Sequence, residues 1–221
     1  MEERATSRKE ASIRRLTSAG VTPPEKYSLP PAGPRVRSAR EVALRSLCLG
    51  IAATHAQGAD SESIAIEVEK WGLGDALTPE ESRALTPEGD AEIGLAMSYE
   101  HEGCFMLMWA MGLIEDLPGR EFDDVDLIGQ HMNQLFDYRS LDSICQAIRW
   151  RNDAELLDEL DYLAQYRQIY LALPEESRAE PKGSLAWHAV LNRYRALEWL
   201  MSGKSVPWDS KQAWGYPVSC G

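Results

Sequence analysis

Most of the short signatures that would name a chemistry are missing from this sequence. There is no His-Glu-x-x-His motif and no Glu-x-x-His pair, which excludes a zincin-type metal helix and a di-iron carboxylate bundle. There is no Gly-x-Gly-x-x-Gly stretch or P-loop for a nucleotide, and no Gly-x-Ser-x-Gly elbow for a nucleophile. Cysteine is scarce and scattered. Cys48, Cys104, Cys145 and Cys220 lie too far apart for a zinc knuckle or a redox Cys-x-x-Cys, and three of them fall inside helical apolar patterns. They read as core thiols in a reducing cytosol. The opening Met-Glu-Glu-Arg-Ala-Thr-Ser-Arg-Lys-Glu lacks the apolar stretch of a secretory signal. No run approaches the roughly 20 apolar residues that span a bilayer, so the expected location is cytoplasmic, without membrane contact. Positive charge is short as well: 23 Lys and Arg face 35 Asp and Glu, a formal net charge of −12. That balance argues against nucleic acid, whose phosphates are held by clustered cations. A basic protein partner suits it better.

Strand alternation is also absent, and what remains is helix throughout. With 221 residues and 44% hydrophobic content the chain has ample material for one large core. Residues 1–37 form an N-terminal helix and a proline-rich connector, and 38–221 form the helical domain. Residues 1–45 carry a net +5 and the remainder −17, so the arm can lie on the body. Ser7 and Glu10 have capping-box spacing and predict a short first helix ending near Gly20, with a narrow apolar edge of Ile13 and Leu16. Ser38 with Glu41 repeats the box for a helix reaching Gly58, whose face holds Leu44, Leu47, Cys48, Ile51 and His55. A third helix spans about Ser61 to Trp71, ending at Gly72, and Thr78 with Glu81 caps a short fourth.

The chain is organised around residues 99–114, where a charged turn runs into apolar and small residues that cover the full circumference of a helix. A helix apolar all round is a buried one, so this is the predicted central helix. Beyond it Asp124 caps a helix with a core face of Val125, Ile128, Met132, Leu135 and Phe136. Ser140 caps the next, with Leu141, Ile144, Cys145 and Ile148 inward. A longer helix starts at Asp153 and runs to about Leu173, and a last one spans Ser184 to Met201. The predicted fold is all-α: a single compact domain of about eight or nine helices around the buried central one, with an N-terminal helical arm.

Three stretches together resemble the domain-of-unknown-function 4272 family (DUF4272). They are Glu102-Gly-Cys-Phe-Met-Leu-Met-Trp-Ala-Met-Gly112, Leu157-Asp-Glu-Leu-Asp161 followed by Tyr166-Arg167, and Arg193-Tyr-Arg-Ala-Leu-Glu-Trp-Leu200. They are similar to the family's Glu-Ala…Leu-Trp-Ala-Leu-Gly, its Leu-Asp-x-x-Asp…Tyr-Arg and its Glu-Arg-x-x-Ala-Leu-Asn-Trp-Leu, over roughly residues 35–210. In the third, Asn192 stands where the family has Glu, and Glu198 where it has Asn. The resemblance implies an α-helical fold and, by the family's own name, no established activity.

The residues most like a site are Glu102, Asp161, Arg167, Arg193 and Glu198, because guanidinium and carboxylate groups on apolar helix faces are expensive to bury unpaired. Bidentate Arg–carboxylate pairs across helix boundaries would fix the register of three helices. As a ligand site, the same arginines would line a pocket for a small anion or an enzyme's substrate. Glu100, His101 and Glu102 resemble a metal or acid–base cluster by type, yet consecutive helical residues point about 100° apart and cannot all converge. No metal and no cofactor are expected. His188 and Arg195 share the polar side of the last helix and read as solvated. Trp208, Trp214 and Tyr216 read as a tail anchored to the body. The acidic loop of Glu115, Asp116, Glu121, Asp123, Asp124 and Asp126 is the candidate surface for a basic partner. The leading expectation is therefore a non-enzymatic acidic binding module, of the immunity or antitoxin kind that neutralises a basic toxin. The alternative is an enzyme or small-anion binder using the arginine and carboxylate set.

Overall fold

Every regular element among the described residues is an α-helix: α1 (Glu2–Ser18), α2 (Ala39–Ala56), α3 (Ser61–Trp71), α4 (Pro79–Ala84), α5 (Ala91–Ser98), α6 (Glu100–Ala110), α7 (Val125–Phe136), α8 (Leu141–Ala147), α9 (Asp153–Ala172) and α10 (Trp187–Met201). The structure, a computed structural model, describes residues 2–23, 35, 37–86, 91–118, 125–172, 187–202 and 207–209, and for 2–5, 91, 92 and 125–127 the backbone alone. The helix starts follow local chemistry. Ser38 caps α2 with its hydroxyl on the Glu41 amide, and the Glu41 carboxylate accepts the Ser38 amide at 2.9 Å in return. Thr78 and Glu81 form the same reciprocal pair on α4, and Ser140 with Ser143 on α8. Gly72 ends α3 in the left-handed conformation, at φ 64°.

The first helix departs from expectation. α1 begins at Glu2, so Ser7 and Glu10 lie inside it and form no cap. Their spacing is compatible with a helix interior too, and α1 is positioned by its packing on α9 rather than by a local start signal.

Two helices share the centre. α6 packs against α2 on one side and α10 on another, α10 continues onto α9, and α9 carries α1 on its outer side. In α6 every residue from Glu100 to Met108 is buried, and so is Ala110. Burial all round also holds for α2 from Ala43 through Ala53, apart from half-buried Leu44, where the sequence pattern showed a single apolar face. In α9 the residues from Glu159 to Tyr166 are all buried, because both α1 and α10 pack against it.

The central helix is shorter than its apolar run. It stops at Ala110, Trp109 is half-buried, and Gly112 turns the chain at φ 69°. A Cβ at Gly112 would sit 2.1 Å from the carbonyl oxygen of Arg149, so the backbone crossing here admits only glycine. That crossing satisfies the buried helix end. The Arg149 amide donates to Met111 O at 2.8 Å and the Arg151 amide to Ala110 O at 3.1 Å, while Arg151 Nε reaches Trp109 O at 3.1 Å. Leu113 and Met111 amides take Met108 O and Leu107 O, so each of the last carbonyls of α6 has a donor without water.

Candidate functional site

The charged residues that enter the core do so as partners. Arg193 of α10 is 2% exposed and places Nε 2.7 Å from Glu102 Oε2 of α6, while its Nη2 donates to Pro118 O at 2.6 Å. Two positions further along α10, Arg195 donates to Glu100 Oε1 at 2.8 Å and to Trp208 O at 3.0 Å. Arg45 of α2 meets Glu81 of α4 in a buried pair, and the other Glu81 oxygen accepts the Thr78 amide at 2.8 Å. One carboxylate thus caps α4 and ties it to α2. The Trp208 ring lies beside both guanidinium groups, 4.2 Å from that of Arg195 and 5.1 Å from that of Arg45, and packs edge-on against Trp199. Burial holds the Glu100 carboxyl above its usual range despite the attraction of Arg195.

A second group of pairs joins α1 to α9. Arg8 Nε is 2.8 Å from Asp161 Oδ2, and Arg15 forms a two-pronged pair with Glu159, its Nη2 3.2 Å from Oε1. The Arg15 guanidinium also stacks 3.7 Å from the centre of the Tyr162 ring. Burial raises the Asp161 carboxyl above the ordinary aspartate range, with Arg8 pulling the other way. Arg167 is half-buried, its guanidinium 5.1 Å from the Tyr194 ring. Burial raises the Glu198 carboxyl, against a hydrogen bond from Tyr194 and the charge of Arg167.

Of the five residues singled out in the sequence, Glu102 and Arg193 are therefore brought together directly, and Arg167 with Glu198 electrostatically. Asp161 turns instead to Arg8 of the N-terminal helix. Arg195 is not solvated as its wheel position implied: its side chain is 12% exposed, because Glu100 and Trp208 both lie against it. His188 is likewise engaged, stacked on Tyr99 at 4.0 Å. Arg45, Glu81, Glu159, Arg8 and Arg15 were missed. Arg45 was the legible one, since it falls between Leu49 and Ala52 on the wheel of α2, where the reasoning applied to Arg193 holds equally.

Glu100, His101 and Glu102 do not all converge, although His101 Nε2 lies 3.7 Å from Glu102 Oε1. The carboxylates go to different arginines, His101 Nδ1 lies 2.6 Å from Ser98 O, and no three metal-binding side chains cluster among the described residues. Cys48 and Cys104 are buried free thiols, Cys48 pushed up to about 11 by burial. Trp208 is a core residue, while Trp214, Tyr216 and Cys220 lie outside the described residues. In the acidic loop Glu115 and Asp116 are exposed; Glu121, Asp123 and Asp124, with the capping role given to Asp124, and the side chain of Asp126 lie outside the description. A groove of about 610 Å3 opens beside Gly112, Glu115, Arg149, Trp150, Arg151 and Glu155. It lies at the closed end of α6, where Arg151 is already committed to the carbonyls of Trp109 and Glu115 and to Glu155. Arg193, Arg195 and Arg45 do not line it.

These features define an all-helical domain whose interior arginines lock helices together by carboxylate pairing. The chain belongs to the domain-of-unknown-function family DUF4272, whose model matches residues 8–211. No curated protein and no solved structure matches it.

Proposed function

We propose that the protein is a non-enzymatic binding module whose acidic surface captures a basic protein, in the manner of an immunity or antitoxin protein. The observation that supports this reading is the pairing. Arg8, Arg15, Arg45, Arg193 and Arg195 are each matched by one carboxylate. Matched pairs cancel, so the whole net charge of −12 belongs to side chains outside them. A net excess of one sign attracts a partner of the other and speeds its approach. The exposed Glu115 and Asp116 begin the acidic stretch that continues to Asp126 in sequence. Buried free thiols suit a reducing cytoplasm, and among the described residues no helix is long and apolar enough to cross a membrane.

The test is binding to a basic protein encoded beside this one, comparing the parent with Asp123→Lys/Asp124→Lys/Asp126→Lys. The reading expects affinity to drop at least tenfold in the variant and to weaken steeply with salt, while the melting temperature changes little, since exposed charges contribute about 0–1 kcal/mol each. Affinity indifferent to both charge reversal and salt would remove the acidic stretch as the interface.

A further inference from the structure

The contact between α1 and α9 is built like a complex. The described part of α1 that meets α9 is a stripe of Arg8, Ser12, Arg15 and Leu16, spaced i, i+4, i+7 and i+8 along one face. Leu16 is fully buried and Ser12 is 4% exposed, so one leucine and one small residue are the buried part of that face. Apart from Val21 just beyond the helix, no other apolar side chain between residues 6 and 23 is buried. The rest of the attachment is ionic: Arg8 on Asp161, and Arg15 on Glu159 with the Tyr162 ring beneath it. On the receiving side α9 carries five carboxylates and a single arginine, and its Leu160 and Leu163 belong to the core behind the carboxylates. Between α1 and α2 the sequence carries Pro23, Pro24, Pro30, Pro31 and Pro34.

We propose that the α9 face under α1 is a binding surface for a basic amphipathic helix, and that α1 is its resident occupant. A partner helix with arginines seven residues apart and a leucine beside the second would meet Asp161, Glu159 and the Tyr162 ring in the same way. The inference rests on the reading of the protein as a binder of basic proteins, and it assigns the partner's recognised element. Displacement is a competition: α1 has the advantage of being tethered, and the apparent affinity of any competitor is reduced by the fraction of time the face is vacant.

The probe is a fluorescein-labelled peptide of residues 2–21, titrated into the full-length parent and full-length Arg8→Gln/Arg15→Gln. Vacating the face should tighten peptide binding at least about tenfold over the parent. Adding Glu159→Gln and Asp161→Asn should abolish it. Equal affinity for the parent and the arginine variant, or no binding to a variant that still melts cooperatively, overturns the proposal. A second measurement needs no variant: amide exchange of residues 6–18 in the parent should accelerate between about 50 and 500 mM salt while α6 stays protected. Salt-indifferent protection of α1 overturns the proposal even if the variants do not fold. Failure of the binding-module reading is distinguishable, because its test alters Asp123, Asp124 and Asp126 and leaves the α9 face intact.

Discussion

At the scale of single residues, the buried pairs set the sharpest expectations. Arg193→Met leaves the Glu102 carboxylate and the Pro118 carbonyl without their donor in a site shielded from water, and should destabilise by about 3–5 kcal/mol. Arg193→Met with Glu102→Leu should recover much of that loss, because the stranded charge is gone. Urea denaturation of parent, single and double variants measures both; a double variant no better than the single would show that the pair does more than neutralise itself. Gly112→Ala meets two obstacles at once, a left-handed φ and the Arg149 carbonyl, and should cost at least about 2 kcal/mol. A melting temperature unchanged from the parent would mean the crossing relaxes without strain.

At the scale of elements, the end of α6 depends on a strap from elsewhere in the chain. Arg151 serves Trp109 O and Glu115 O, packs over the Trp109 ring at 4.5 Å and lies 3.7 Å from Glu155. Arg151→Ala should therefore cost about 1 kcal/mol through the lost hydrogen bonds and ring packing, the Trp109 carbonyl keeping the Gly112 amide at 3.0 Å, and still more than an exposed arginine would. Chemical denaturation checks it, and a loss within about 0.5 kcal/mol would place those carbonyls in contact with water. The predicted starts of α2, α3 and α4 and the end of α3 were legible because caps are local: Ser38, Thr78 and Gly72 need only neighbours within four residues. The end of α6 was not, because it is set by residues about forty positions later.

For the molecule as a whole, pH should act through its buried carboxyls. Burial raises Glu100, Asp161 and Glu198 above their unfolded values, near 4. The native state then binds more protons than the unfolded chain, so stability is greatest on the acidic side and is lost as pH rises through the raised values. Melting temperatures should be higher at about pH 4.5, close to the unfolded carboxyl values, than at about pH 8, and the general relief of repulsion in a chain of net charge −12 acts in the same direction. Glu100→Gln separates the two. It should narrow the difference between the two pH values, whereas an unchanged difference would assign the response to surface charge alone.

Helical class, the two capping boxes of α2 and α4 and the buried character of residues 103–108 were determined by sequence alone, because periodicity and capping act within a turn or two of helix. Family membership was legible in three short motifs for the same reason: they lie on the helices that form the core. Which carboxylate each arginine meets was decided only by tertiary structure. Arg193 could be seen to need a partner, but Asp161 turned to Arg8, 153 positions away, because α1 rather than α10 covers that side of α9. Arg195 likewise looked solvated until Trp208 closed over it. A helix wheel records how a residue is placed on its own helix. What lies across from it depends on how the other helices pack, and the energy of a buried charge depends on that opposite surface.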